Sequence, residues 1–278
     1  MFANQTIIIT GGSSGVGKAL AKRLVAAGAD VAIVARDQAK LDQAASELQG
    51  SNAQNRRIQG FACDVSDAGA VDGVIEEIVD AFGKPDLLIN SAGVLREGYF
   101  EDQGPELFRE TMDINFYGTL HCIRAVLPHF KNNGGGRIVN IASVAGMMGV
   151  FGYAAYCASK HAVVGLTAAL RAELAPQNIR MHLVCPPEFE SPMVDAVNEN
   201  RTPENEKLAH TIPVMSVDAV ADAIIKGLEK ERYEIIPGVM TRAVTNLDRW
   251  LPGISRAVVD FQVRRCYCGP EKSIVQKK

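Results

Sequence analysis

The sequence predicts an α/β protein, a single doubly wound domain with a seven-stranded parallel sheet, extended by a C-terminal amphipathic helical tail. Three observations predict it. Seven short apolar runs bounded by turn residues alternate with stretches of helical period. A glycine-rich turn joins the first run to the first helical stretch, and an apolar stripe at three-to-four spacing continues past the last run.

In chain order, strands are expected at 6–10 (TIIIT), 30–35 (DVAIVA), 57–63 (RIQGFAC), 86–90 (DLLIN), 137–142 (RIVNIA), 179–185 (IRMHLVC) and 233–237 (YEIIP). Helices are expected between them at 15–28, 38–49, 67–82, 106–131, 153–175 and 216–230. The β-α-β alternation requires parallel strands with helices on both faces. The turns at 50–56 and 131–136 read as surface loops. Two stretches break the rhythm. Residues 186–215 form an irregular, proline-punctuated insertion at the carboxyl end of the sixth strand, where this architecture carries binding loops, so it reads as a substrate lid. Residues 239–278 are the tail, leaving 1–238 as the nucleotide-binding and catalytic domain.

At 278 residues and 47% hydrophobic content the chain can bury a large core. A net charge of −3 excludes the basic balance of a nucleic-acid binder and favours a small-molecule partner. The six cysteines follow no disulfide framework, and the N-terminus runs into a strand with no signal-like segment, which together predict reduced thiols in a cytoplasmic setting. No run approaches the roughly 18 apolar residues of a membrane span. Cys266 and Cys268 are close in sequence but have no matching second pair, so no metal is expected.

The chemistry-bearing residues lie at the carboxyl ends of the strands. The first strand opens into TGGSSGVG (10–17), where Gly11, Ser13, Ser14, Gly15 and Gly17 are candidates to hold a pyrophosphate against amides at a helix N-terminus. This is the Rossmann arrangement. The second strand ends in Ala35 followed by Arg36, where an NAD-preferring site carries an acid. Arg36, with Lys40 one turn on, would attract a 2′-phosphate, so the expected cofactor is NADPH. Asp64, ending the third strand, would lie near the adenine, and the NSAG turn from Asn90 would let the ribose and nicotinamide pass close to backbone.

Residues 151–160 read FGYAAYCASK. Tyr156 and Lys160 are four apart and share a helical face, whereas Tyr153 is seven from the lysine. An adjacent ammonium favours the phenolate and would lower the Tyr156 pKa, suiting it to general acid–base work, while Tyr153 reads as a wall of the substrate pocket. Ser143 ends the preceding strand's NIASVAG, and Asn115 is a polar amide within a core-facing helical stretch.

These motifs, in this order over residues 4–237, resemble the short-chain dehydrogenase/reductase family. The resemblance implies a catalytic set of Asn115, Ser143, Tyr156 and Lys160. Tyr156 would protonate a ketone oxygen, Lys160 would hold the nicotinamide ribose and tune the tyrosine, Ser143 would position the carbonyl, and Asn115 would anchor a water. It also implies a homodimer or homotetramer formed through the two long central helices. Within the family, GVFGYAAYCASK, CPPEFESPM and the Arg36/Lys40 end are similar to the 3-ketodihydrosphingosine (3-dehydrosphinganine) reductases, which implies a lipid-like ketone substrate. The sequence departs from the family's Pro-Gly after the sixth strand, with Pro187 in place of the glycine, and Ser191 stands where a threonine usually touches the cofactor amide.

In the tail, Met240, Ala243, Val244, Leu247, Trp250, Leu251, Ile254, Val258 and Phe261 predict two amphipathic helices broken at Pro252-Gly253. Eight Lys/Arg against three Asp/Glu give the tail a net +5, leaving −8 on the body within the total of −3. The tail would close the substrate pocket, pack on a partner subunit or rest peripherally on an anionic membrane surface. Two other functions fit the same residues: reduction of another bulky apolar carbonyl, and a non-catalytic NADP(H)-binding regulator, from which the presence of both Tyr156 and Lys160 argues away.

Overall fold

The computed structural model of the chain describes residues 1–50, 56–209 and 211–267. The turn residues 51–55 and Cys268 therefore lie outside the described residues. The apolar runs form β1 (Thr6–Thr10), β2 (Asp30–Ala35), β3 (Ile58–Ala62), β4 (Leu87–Asn90), β5 (Gly136–Ile141), β6 (Ile179–Val184) and β7 (Glu234–Ile235). All pair in parallel in the order β3-β2-β1-β4-β5-β6-β7. Winding runs outward from β1 through β3 and then crosses back to β4, so the strand order reverses between β1 and β4, where a doubly wound sheet opens its binding crevice.

Helices cover both faces. On one, α1 (Gly15–Ala26), α2 (Gln38–Gly50) and α9 (Val217–Glu229) bury Leu20, Leu24, Leu41, Ile224 and Leu228 against Ile7, Ile9 and Ile33. On the other, α3 (Ala68–Phe82), α5 (Gly118–Asn132) and α6 (Ala154–Leu174) bury Ile75, Ile78, Val126 and Phe130 against Ile8, Leu88 and Ile138. Each fully buried aliphatic side chain is worth about 1.5–3 kcal/mol relative to leaving it exposed, so these two layers dominate the stability.

The stretch expected as one helix over 106–131 is α4 (Pro105–Met112) and α5 joined by one π-turn, Asp113–Tyr117. Such turns admit an extra residue per turn and re-aim side chains, and this one contains Asn115. The insertion at 186–215, expected to be irregular, contains α7 (Pro192–Asn198) and α8 (Pro203–Ala209). Their signals are visible in the sequence: proline at N1 in both, preceded by Ser191, which caps Val194 N at 3.3 Å, and by Thr202, which accepts from Asn205 N at 3.4 Å. The tail forms the two expected helices, α10 (Val239–Trp250) and α11 (Pro252–Cys266), with Pro252 starting the second. They pack on each other, and α11 packs on α8. Among the described residues no helix is long and apolar enough to cross a membrane.

Candidate active site

The turn after β1 is built for close approach of backbone. Gly11 has φ 67°, and a Cβ there would lie 2.9 Å from the Ser91–Ala92 backbone; one on Gly17 would lie 2.4 Å from the Gly11 carbonyl oxygen. Ser14 precedes α1 without capping it, so the amides of that helix start are open toward the crevice. Thr10, which sequence reasoning passed over, ties the turn down: its Oγ1 accepts from both Ser91 N and Ala92 N at 3.1 Å. The only sequence signal for it is a hydroxyl at a strand's carboxyl end.

Ser143 follows β5 and caps the tight turn Val144–Gly146, its Oγ accepting from Ala145 N at 3.2 Å. Tyr156 and Lys160 face it from the first turns of α6, both buried. Tyr153 meets Tyr156 edge to face, centroids 5.8 Å apart. A cavity of about 350 Å3 joins the two ends of the crevice, running from Gly11, Ser14 and Gly15 past Gly93, Ser143, Tyr153, Tyr156 and Lys160. It continues outward between Met193, Leu208 and Ile212 of the insertion and Val244, Leu247 and Val258 of the tail. The polar end can hold a dinucleotide and protonate an oxygen; the outer end can take an aliphatic chain.

Residues 5–202 match the family model of the short chain dehydrogenases. The chain belongs to the short-chain dehydrogenase/reductase family. It is an oxidoreductase acting on CH–OH/C=O groups. Among curated proteins it is 35% identical over 222 residues to the 3-ketodihydrosphingosine reductase of Bos taurus, covering 79% of this chain and 67% of that one. Among solved structures it resembles a Burkholderia phymatum short-chain dehydrogenase/reductase in complex with NAD (TM-score 0.81, 25% identity, 91% and 95% of the two chains). It also resembles a Sphingobium yanoikuyae short-chain dehydrogenase in complex with NADPH (TM-score 0.76, 28% identity, 92% and 95%).

The remaining residues expected to serve a short-chain reductase divide into those at the cavity and those beside it. Asn115, 0% exposed, spends its side chain on structure: Nδ2 donates to Val94 O and Ser159 Oγ at 3.0 Å, and Oδ1 accepts from Val94 N at 2.8 Å. It clamps the turn after β4 to α6. Gly93 fits beneath this clamp, since a Cβ there would sit 3.0 Å from Asn115 Oδ1 and 3.6 Å from Lys160 Nζ. Asn90 is buried inside the sheet and does not line the cavity; its Nδ2 donates to the facing Asn140 Oδ1 at 2.8 Å, which leaves the approach to the cavity to Ser91, Ala92 and Gly93. Ser191 lines the cavity while capping α7, and Pro187 lines it where a glycine was expected. Ser13 and Gly17 shape the turn without lining the cavity.

Arg36 is exposed at the end of β2 and makes no hydrogen bond or ion pair among the described residues. It faces Asp64. Burial alone would raise the Asp64 carboxyl, but hydrogen bonds from Ser66 N at 2.9 Å and Ser66 Oγ at 2.7 Å, together with the Arg36 charge, hold it below the usual range. Lys40 is solvent-exposed, 3.9 Å from Asp37 Oδ2.

The expected lowering of the Tyr156 phenol by Lys160 is reversed in this structure. Burial pushes the phenol up, opposed by a hydrogen bond with Ser143. Lys160 Nζ donates to the Ile141 carbonyl oxygen at 2.9 Å and stands 5.6 Å from the centre of the tyrosine ring, so it does not bond the phenol. Burial also pulls the lysine down, to about 8. Adjacency on a helix brings the two groups together, but the dry surroundings penalise both charged forms more than the pair's attraction favours them.

Proposed function

We propose that this chain reduces a long-chain 2-amino ketone, 3-ketodihydrosphingosine, to sphinganine with NADPH. The observation that carries the reading is the continuity of the cavity from Ser143 and Tyr156 to an aliphatic outer passage between insertion and tail, in a chain similar to a reductase of that name. A bound reduced nicotinamide supplies the hydride. Ser143 orients the carbonyl by donating a hydrogen bond to its oxygen, and Tyr156 delivers its phenolic proton to that oxygen as it becomes an alcohol. Lys160 supplies a positive charge beside the phenolate that remains. Asn115 keeps Val94 and Ser159 in place around them. The insertion 186–215 and the tail act as a lid that excludes water from the reacting carbon. Turnover of 3-ketodihydrosphingosine in mixed micelles tests the substrate: no NADPH consumption by an enzyme that binds NADPH would overturn it.

Arg36 carries the cofactor preference, because its guanidinium is unpaired at the point where the ribose 2′-substituent would lie. Arg36→Asp is expected to lower kcat/KM with NADPH roughly 100-fold and to leave kcat/KM with NADH within a few-fold, from loss of one charge-assisted pair and gain of a repulsion. Equal losses with both cofactors would show that Arg36 only stabilises the start of α2.

The tail supports a peripheral contact with anionic lipid. Val244, Leu247 and Val258 line the cavity, but Trp250 (77% exposed), Phe261 (61%) and Ile254 (54%) of the same stripe face solvent on helices whose second member also exposes Arg256, Arg264 and Arg265, the last over the Phe261 ring. Exposed apolar and cationic side chains on the same two helices that line the outer cavity suit extraction of a lipid ketone from a bilayer. Flotation with vesicles containing anionic phospholipid should recover the protein, and Trp250→Ser/Phe261→Ser should not float. Recovery independent of lipid charge or of both side chains would refute the contact.

A further inference from the structure

Directly after β6 the chain carries a carboxylate into the wall of an otherwise apolar cavity. Pro186 and Pro187 are buried and stiffen the turn, and Glu188 follows them, lining the cavity with Tyr153 and Asn205. Its side chain is 19% exposed. A carboxylate so placed loses much of its hydration and is retained only where it is paired or used.

Its pairing is partial and rigid. Arg201 Nη2 donates to Glu188 Oε1 at 2.7 Å from the side away from the cavity, which Arg201 does not line. The guanidinium is itself fixed, with Nη1 on Asn205 Oδ1 at 2.8 Å and Nε on Asn198 Oδ1 at 3.0 Å. Among the described residues no hydrogen bond reaches the second oxygen of Glu188. A second carboxylate, Glu97, does not line the cavity but acts on the same guanidinium by its charge, and is held by Thr202 Oγ1 at 2.6 Å and Thr202 N at 3.1 Å. Two acids thus bear on one guanidinium, and of the three groups Glu188 is the one that lines the cavity. The Tyr153 phenol registers it: burial first, then the Glu188 charge, push it up to about 12. Tyr153 in turn touches the ring of Tyr156, so the carboxylate shares one cavity lining with the group that protonates the carbonyl.

The geometry points to Glu188 as the recognition site for a cationic amino group borne on the carbon next to the reacting carbonyl. Its free oxygen accepts from the ammonium while Arg201 holds the other oxygen and so fixes the carboxylate's direction. A ketone lacking the amine leaves that oxygen without a cationic partner, and this gives discrimination by charge where the aliphatic passage can discriminate only by length. The assignment rests on the substrate reading above and adds the residue that selects for the amine.

The test compares two ketones of equal chain length, 3-ketodihydrosphingosine and its analogue with hydrogen in place of the amine, on wild type and Glu188→Gln. Glutamine keeps an oxygen for Arg201, removes the charge and puts a donor NH2 where the free oxygen would accept from the ammonium. The expected result is a KM for the amino ketone raised roughly 30- to 100-fold, with KM for the neutral ketone unchanged. A merely structural role moves both substrates alike. A wild type that prefers the amino ketone, with Glu188→Gln retaining that preference, overturns the subsite alone. A wild type that reduces the neutral ketone with an equal or lower KM overturns the substrate reading and the subsite together.

Discussion

Tyr156→Phe is expected to lower kcat about 1,000-fold or more while NADPH still binds with near wild-type affinity. The substitution removes one oxygen and keeps the ring that packs edge-on against Tyr153, so the surrounding wall survives. What is lost is the proton at the carbonyl oxygen. Ser143 remains as a hydrogen-bond donor to the ketone, but its hydroxyl is far too weak an acid to replace the phenol at neutral pH. Turnover of the ketone by NADPH absorbance and cofactor binding by fluorescence titration, measured on the same preparations, separate the two effects. A loss of less than about tenfold would show that another group or water supplies the proton. Loss of NADPH binding in parallel would show instead that the phenol is part of the cofactor site.

Lys160→Met is expected to move activity and stability in opposite directions. Activity should fall by at least about 100-fold, because the phenolate left after proton transfer then has no cation beside it. The cofactor-free protein should melt at a higher temperature at pH 7. The sign follows from where the proton is bound. The lysine's pKa falls from 10.5 to about 8 on folding, because burial disfavours its charge. The unfolded chain therefore binds the proton more tightly than the folded one. Stability rises as pH increases from 8 toward 10.5, and below 8 the full penalty applies. The shift corresponds to roughly 3 kcal/mol at most, several degrees of melting temperature in a domain of this size. Methionine fills the same volume without the charge, so it removes the penalty while giving up only the bond to the Ile141 carbonyl. Thermal melts of both proteins from pH 7 to 10.5 check this. A mutant less stable than wild type at pH 7 would mean that the Ile141 bond outweighs the desolvation of the charge.

These two residues also show how far a linear reading reaches. The spacing of Tyr156 and Lys160 placed them on one helical face, and α6 does present both to the cavity. The direction of their pKa shifts was not legible, because it depends on which water is excluded and which carbonyl the ammonium finds, and both are set by β5 and the turn after β4. Asn115 was singled out as a polar amide in a core-facing helix, yet its contacts with Val94 and Ser159 required the π-turn, which no pattern in DINFY announces. Glu188 within CPPEFESPM carries no legible chemistry in the sequence, since a carboxylate on a loop is normally solvated and only its place in the cavity wall and its bond from Arg201 show otherwise.

The sequence by itself determined the parallel sheet and its flanking helices, the glycine turn at the first crossover, the placing of Tyr156 and Lys160 on one face of α6 and the two amphipathic helices of the tail. Each of these is encoded locally, by the period of apolar residues or by residues a turn apart. Only the tertiary structure decided that the tail's stripe splits into a cavity-lining half and a solvent-facing half, that Asn90 bonds within the sheet, and that Glu188 is held from behind by Arg201. Those outcomes depend on contacts between segments far apart in the chain. Burial, which sets the cost of every charge in the site, exists only once those segments have closed over it.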